Sequence, residues 1–473
     1  MPENAADMVA LSFLRWLMAE DQGRAAQYRA YREYYDGEHA TQLTNRQRRF
    51  LELKTGTDFR DNYCPLVVDS LVERLKVTGF KAPSDELSGL LWDWWQRSRM
   101  DAQQNDVYLA AARDGDGYVI VEWDEERGVP TFEMNLAYDG TDGVKMHYAD
   151  NRRGVPTFAS KRWVVSEPGD GGGYRRRLNV YYPDRIEKWV SDSREDEGQW
   201  QRYEEEGEPW PLPWLALDGS PLGIPVVHFA YRAGGYNFGR SRMDDVIPLQ
   251  NALNKTLIDL IASADAHGFP MYSATGIDDP DALNVGPGRL LYSSKPDARF
   301  GVLPPGDLAQ LLALKDSITF DVARVSNTPL SRFQITGHVA SEGTLKQQES
   351  GLVADAEATQ VTFGNRWEDV LALGRRLHNT FGPGGLDEDA IIDTDWAPAA
   401  TRDENALAQR YKIWADSFHI PDEIIWTRIG LTPEEIEQAL ASPQYQEYRA
   451  MRQAGLLLNE ENRGGEPTDD RTP

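Results

Sequence analysis

The sequence predicts an α+β, multidomain fold, and three observations carry that expectation. The apolar period is about 3.6 over the first hundred residues, falls to 2 between 117 and 232, and returns to 3.6 after Gly239. At about 150 residues per domain, 473 residues make roughly three structural units. With 40% apolar and 27% charged residues, and 14 Trp, 20 Tyr and 15 Phe, the composition is that of a folded chain. No run of about 18 uncharged apolar residues suggests a membrane span. The first residues break their short apolar stretch with Arg15 and do not read as a secretory leader. The single cysteine, Cys64, excludes an intrachain disulfide framework or a cysteine-based metal cluster and reads as a small buried hydrophobe.

In the helical first part, Tyr28, Tyr31 and Tyr35 recur at helical spacing before Gly37 stops the helix. Leu66, Val67, Leu71 and Leu75 mark a second helix, 76–80 a short strand, and 90–100 and 101–113 two further helices. From Gly117, runs such as GYVIVEWD, VPTFEMN, VKMHYAD, PTFASKRWVV, YRRRLNVYY and DRIEKWVS predict antiparallel strands. Residues 193–209 read as an acidic, exposed connection, and 221–232 as a buried strand.

After Gly239, Val246, Leu249, Leu253, Leu257, Leu260 and Ala264 step by three or four, predicting a helix of about 24 residues that tolerates Pro248 only in its first turns. Short strands in 267–306 make a small β-unit. Leu308, Leu311, Lys315, Ile318, Val322 and Val325 then mark a second long helix, capped by Asp307. Residues 328–343 break the pattern, and a helix over about 341–380 follows. Gly351, Gly364 and Gly374 each weaken that helix by about 1 kcal/mol and make it prone to kink. Shorter helices are expected at 403–418, 421–429 and 433–440, and the last dozen residues read as a disordered tail.

Charge narrows the function classes. Fifty Lys+Arg against 76 Asp+Glu leave −26, without the basic footprint of a protein that grips nucleic acid. GGYNFGRS at 234–241 has the outline of a phosphate-binding loop, and a nucleotide-binding enzyme using it is the alternative reading. Arg240 stands where that loop needs lysine, and no strand ending in aspartate follows. The simpler reading is a glycine hinge with Ser241 capping the next helix and Asp244 completing a capping box. The seven histidines include no pair at metal-ligand spacing, and RDGDGY (113–118) and YDGTDG (138–143) read as β-turns. No residue set selects a catalytic site, a cofactor or a metal.

Four stretches resemble the portal proteins (head–tail connectors) of long-tailed bacteriophages: 31–39 with 61–80, 115–123, 239–276 and 341–373. The resemblance implies a ring-forming fold. Its parts are a wing over 1–238, stem helices over 239–266 and 307–327, and a β clip over 267–306. A tunnel loop follows over 328–342, then a long kinked wing helix with its linker over 343–395, a helical crown over 396–460 and a disordered tail over 461–473. It implies a structural protein and not an enzyme: a ring, typically of twelve, at one capsid vertex, through which double-stranded DNA enters, is held and leaves. The partners implied are the terminase large subunit, a head–tail adaptor, and the major capsid and scaffolding proteins, with no membrane. Assembly in the host cytoplasm and residence in the virion follow. On that frame Arg332, Gln334, His338 and Lys346 are the candidate DNA-facing residues of the tunnel loop. Lys255, Asp259, Lys315 and Arg324 are the stem's candidate channel-facing residues, and Arg289 and Lys295 candidate clip-interface residues.

Overall fold

A computed structural model describes residues 5–40, 61–150, 154–167, 173–193, 199–204, 207–268, 272–276, 297–302, 308–333, 342–400, 404–417, 420–429, 433–447 and 449–451. They fall into two compact units, 1–400 and 401–473. The fold is α+β. In the first unit, helix α1 (Ala5–Asp36) ends at Gly37, whose φ of 73° only glycine adopts freely. Helices α2 (Cys64–Val72), α3 (Asp85–Arg97) and α4 (Met100–Asp114) follow. The Ser84 side chain caps α3 by accepting from the Leu87 amide, with Asp85 and Glu86 in the first turn and Arg97 in the last.

All paired strands are antiparallel. Strand β1 (Val77–Lys81) pairs with β13 (Asp393–Trp396), over three hundred residues away in sequence. Strands β2 (Asp116–Asp124), β3 (Val129–Leu136) and β10 (Val226–Ala230) form a sheet in the order β10-β2-β3. Strands β4 (Gly143–Tyr148), β5 (Pro156–Glu167), β6 (Gly173–Tyr181), β7 (Arg185–Ser191) and β8 (Trp200–Arg202) form a second, with β9 (Leu212–Pro213) also on β7.

Two of the local expectations need correcting. The stretch 193–209 carries β8, because Trp200 buries itself beside Trp189 under the second sheet. RDGDGY is a helix end and not a β-turn: Gly115 at φ 94° terminates α4, and Asp114 and Asp116 are fully buried. YDGTDG is the turn between β3 and β4, with Gly140 and Gly143 at positive φ.

Two apolar clusters hold the unit. The larger joins α1 to α4, the three-stranded sheet and the long helix α7 (Glu342–Phe381). At its centre the fully buried Trp367 meets Trp95 edge-on at 4.8 Å and Phe229 at 4.7 Å, while its indole N–H donates to Tyr108 Oη at 2.9 Å. The smaller sets Leu14 and Leu17 of α1 on Phe158, Leu178, Val180 and Trp189 of the second sheet. Helix α7 runs 40 residues, about 60 Å at 1.5 Å per residue. Its glycines are close-approach positions: a Cβ at Gly364 would lie 3.3 Å from Trp396 Nε1, and one at Gly374 3.4 Å from the Trp94 ring.

Helices α5 (Ile247–Gly268, with Pro248 in its first turn) and α6 (Leu308–Ser326) pack along each other. Between them β11 (Tyr272–Thr275) pairs with β12 (Arg299–Val302); Asp307 and 277–296 lie outside the described residues. In the second unit, α8 (Glu404–Asp416), α9 (Asp422–Ile429) and α10 (Pro433–Ala441) surround the Trp426–Tyr445 ring contact at 4.7 Å, and Tyr445 Oη donates to Asp422 at 2.6 Å. The division between units falls at 400/401, and pairing with β1 keeps β13 in the first unit.

Trp367→Ala removes the centre of the larger cluster and leaves a void the surrounding rings cannot fill. The expected loss is about 3–5 kcal/mol of unfolding free energy, measured by denaturant titration followed by circular dichroism.

Candidate functional site

The α5/α6 pair is tied to the rest of the unit at its base. The Tyr63 amide donates to Gln250 at 2.9 Å, the Asp61 amide to Asn254 at 3.1 Å, and Tyr34 Oη to Asn251 at 3.0 Å. Below them Arg242 is buried with no partner beyond the reach of its five N–H groups. Its Nε donates to Val67 O at 2.9 Å, its Nη1 to Tyr231 Oη at 2.9 Å and to Asp355, and its Nη2 to Ser326 O at 2.8 Å. One guanidinium thereby joins α2, the end of the three-stranded sheet, the last residue of α6 and α7. Arg232 Nη2 reaches the other oxygen of Asp355 at 2.8 Å. Burial opposes charge on Asp355, yet the two guanidiniums outweigh it and hold the carboxyl below its ordinary range.

In the glycine turn at 234–241 the amides of Tyr236, Gly239 and Arg240 are engaged within the protein. The Gly239 N–H donates to the buried Asp116 at 2.7 Å, that of Arg240 to Tyr231 O and that of Arg242 to Ala112 O. A Cβ at Gly239 would lie 2.0 Å from Gly115 O, so the glycine serves backbone contact. Arg240 pairs with Asp244 at 2.8 Å and Asp245 at 2.6 Å. The cation of the turn is therefore held by two carboxylates of the same chain. The capping-box expectation fails, since α5 begins only at Ile247. Ser241 Oγ instead donates to Arg113 O and accepts from the Met243 amide, and Asp244 accepts from Tyr31.

Helix α6 presents three kinds of surface. At about 100° per residue, the buried Ile318, Thr319, Val322, Ala323 and Ser326 share one arc. Gln310, Ser317, Asp321 and Arg324 project on the opposite side. Exposed Phe320 borders that polar strip on one edge, and exposed Leu314 and Val325 on the other. Leu312 continues the buried arc yet is exposed.

Among the stem candidates, Lys255 is exposed and Asp259 half-buried one turn later. Lys315 Nζ lies 3.6 Å from Asp61 on the buried side of α6, while Arg324 pairs with Asp321 at 2.9 Å within the polar strip. Nine residues apart, roughly two and a half turns, these two cannot face the same side. Of the loop candidates, Arg332 closes a 3-10 turn (Leu330–Arg332) and pairs with Glu73 of the segment after α2. Next to it the Phe333 ring meets Tyr63 edge-on at 5.2 Å. Gln334 and His338 lie outside the described residues, as do Arg289 and Lys295. Lys346 is in the first turns of α7, its side chain outside those described. Among the described candidates, Lys315 and Arg324 lie on opposite sides of α6. Arg242 and Asp355 were not foreseen, since 113 residues separate them and neither stands in a patterned motif.

Cys64 is fully buried, and burial pushes its thiol up to about 12, an inert side chain. Among the described residues no acidic, histidine or cysteine group could hold a metal ion, and no helix is long and apolar enough to cross a membrane.

Comparison with known proteins places the chain in a family of virus structural proteins. The family described as phage portal protein, SPP1 Gp6-like, matches residues 14–447, and the chain belongs to it. It is 22% identical over 362 residues to the portal protein of Mycobacterium phage L5, a match covering 72% of this chain and 69% of that protein. Solved structures that resemble it include the neck of a native gene transfer agent particle computed with C12 symmetry. There the identity is 13% and the TM-score 0.41, over 78% of this chain and 88% of that one. The neck of the empty particle, computed with C6 symmetry, gives 14% and 0.43 over 78% and 89%. The portal family is structural, not enzymatic, and belongs to the head–tail connection of phage virions.

Arg242→Ala leaves Asp355 with Arg232 and the Tyr231 hydroxyl and removes the side-chain donor from the Val67 and Ser326 carbonyls; the expected cost is about 3 kcal/mol by denaturant titration. The depressed Asp355 carboxyl adds a pH signature. Its contribution is complete above the unfolded value of about 3.9 and fades as pH falls through the lower folded value. Thermal midpoints of the wild type should therefore fall more steeply below about pH 4 than those of Asp355→Asn.

Proposed function

We propose that this chain is one subunit of a portal ring, typically of twelve copies, that forms a channel for double-stranded DNA at one capsid vertex. The observation that carries this reading is the three-sided surface of α6. A helix in a closed ring needs one side for its own subunit, two flanks for neighbours and a remaining side toward the hole. Here the buried arc serves the first, Phe320 on one edge and Leu314 with Val325 on the other serve the second, and the polar strip ending at Arg324 serves the third. On this reading Arg324 faces the channel, Lys315 holds the helix to its own subunit, and the labels wing, stem, clip, tunnel loop and crown keep the boundaries given above.

Each copy brings −26, so the ring repels phosphate overall and DNA slides without settling. A few cations near the narrowest part, Arg332 and Lys346 with Gln334 and His338 between them, would touch the backbone transiently. Docking of terminase and of a head–tail adaptor on the clip, through Arg289 and Lys295, completes the proposal, together with contacts to capsid and scaffolding proteins during assembly in the host cytoplasm.

Purified protein should form annular particles in negative-stain images. Leu314→Asp with Phe320→Asp should abolish them and leave monomers of unchanged circular dichroism. Rings that persist in the double variant would remove α6 from the interface, and wild-type protein that stays monomeric under all conditions would end the reading.

A further inference from the structure

A cavity of about 390 Å³ opens where the second sheet meets the end of β2 and the last turn of α7. It lies on the sheet face opposite α1. Leu178 and Val180 of β6 point into the core under α1, and the alternating Asn179 and Tyr181 line the cavity. With Tyr181, its walls hold four aromatic rings: Phe381, half-exposed, stands 6.2 Å from Trp123 and 6.1 Å from Trp214. The Trp214 indole N–H is held by Gly223 O at 2.8 Å, which fixes the orientation of that ring.

The polar groups here are mostly acidic. Lys188 is engaged by Glu208 at 2.7 Å, and the neighbouring Lys161 by Glu133 at 3.1 Å, so the carboxylates of Glu122 and Glu125 are in excess over the local cations. Glu122 is exposed, and desolvation raises its carboxyl above the ordinary range against the opposing charges of Lys161 and Lys188. A cation brought to it would relieve that penalty.

We propose that this cavity anchors a single arginine side chain presented by an exposed segment of a partner protein. The volume, near the lower end for ligand sites, suits one long side chain better than a cofactor. Aromatic walls beside a carboxylate favour a planar, weakly hydrated guanidinium, which stacks on rings and forks onto carboxylate oxygens, over an ammonium. The site is on the sheet–helix junction and uses no residue of α5 or α6, so it stands apart from the ring reading.

The test uses the full-length protein in its native assembly state and the probe acetyl-Gly-Arg-Gly-amide, titrated calorimetrically beside the same peptide with citrulline for arginine. Millimolar binding of the arginine peptide alone is expected. It should weaken about tenfold in Glu122→Gln and about threefold in Phe381→Ala, with thermal midpoints and particle size unchanged. Equal binding of the citrulline peptide, or undiminished binding by folded Glu122→Gln, overturns the proposal. Should Glu122→Gln fail to fold, the half-exposed Phe381→Ala decides alone. Spermidine, titrated in parallel, separates the sources: Glu122-dependent binding of spermidine without binding of the peptide means a free amine site and overturns the partner anchor. Particle size on the same samples reports the ring independently.

Discussion

The structure depends on a buried positive charge that cannot be moved. Arg242 donates to α2, to the strand-end Tyr231, to the last residue of α6 and to Asp355 on α7. Taking a guanidinium out of water costs several kcal/mol unless its donors are met, so all four partners must arrive together. That requirement fixes where the two long helices leave the body of the subunit. A second buried centre lies close by: Asp116 accepts from Tyr28 at 2.6 Å and from the Gly239 amide at 2.7 Å, with His228 at 2.8 Å. Together the two centres hold the segment before α5 against α1, α2 and the three-stranded sheet.

This junction also gives the glycine turn its meaning. A phosphate-binding loop works because its N–H groups point at empty space. Here the amides of Gly239 and Arg240 point at Asp116 and Tyr231, so a sequence outline shared with nucleotide sites serves attachment of a helix. Rigidity at the base complements the surfaces farther along. A helix held by its foot can present apolar flanks to neighbouring copies without wandering in angle.

Element type was legible wherever the apolar period was long and unbroken. The limits of α5, α6 and α7 fall within a few residues of the expected ones, and β2 to β7 and β10 appear where alternation placed them. Legibility failed where one buried residue outweighed composition. Trp200 makes a strand of an acidic stretch, and the aspartates around Gly115 are buried ion-pair partners, although their spelling suggests an exposed turn. The candidate charges were chosen by residue type, which says nothing about azimuth around a helix. Lys315 and Arg324 look alike in the sequence and lie on opposite sides of α6.

The sequence by itself determined the α+β class, the paired long helices, the acidic character and the family likeness, because period and net charge are local or additive properties. Tertiary structure alone decided that β1 pairs with β13, that Arg242 meets Asp355, and that four aromatic rings and several carboxylates line one cavity. Those facts come from residues far apart in the chain that meet only when burial forces charges and strand edges to find partners. Nothing in their local spacing marks them for each other.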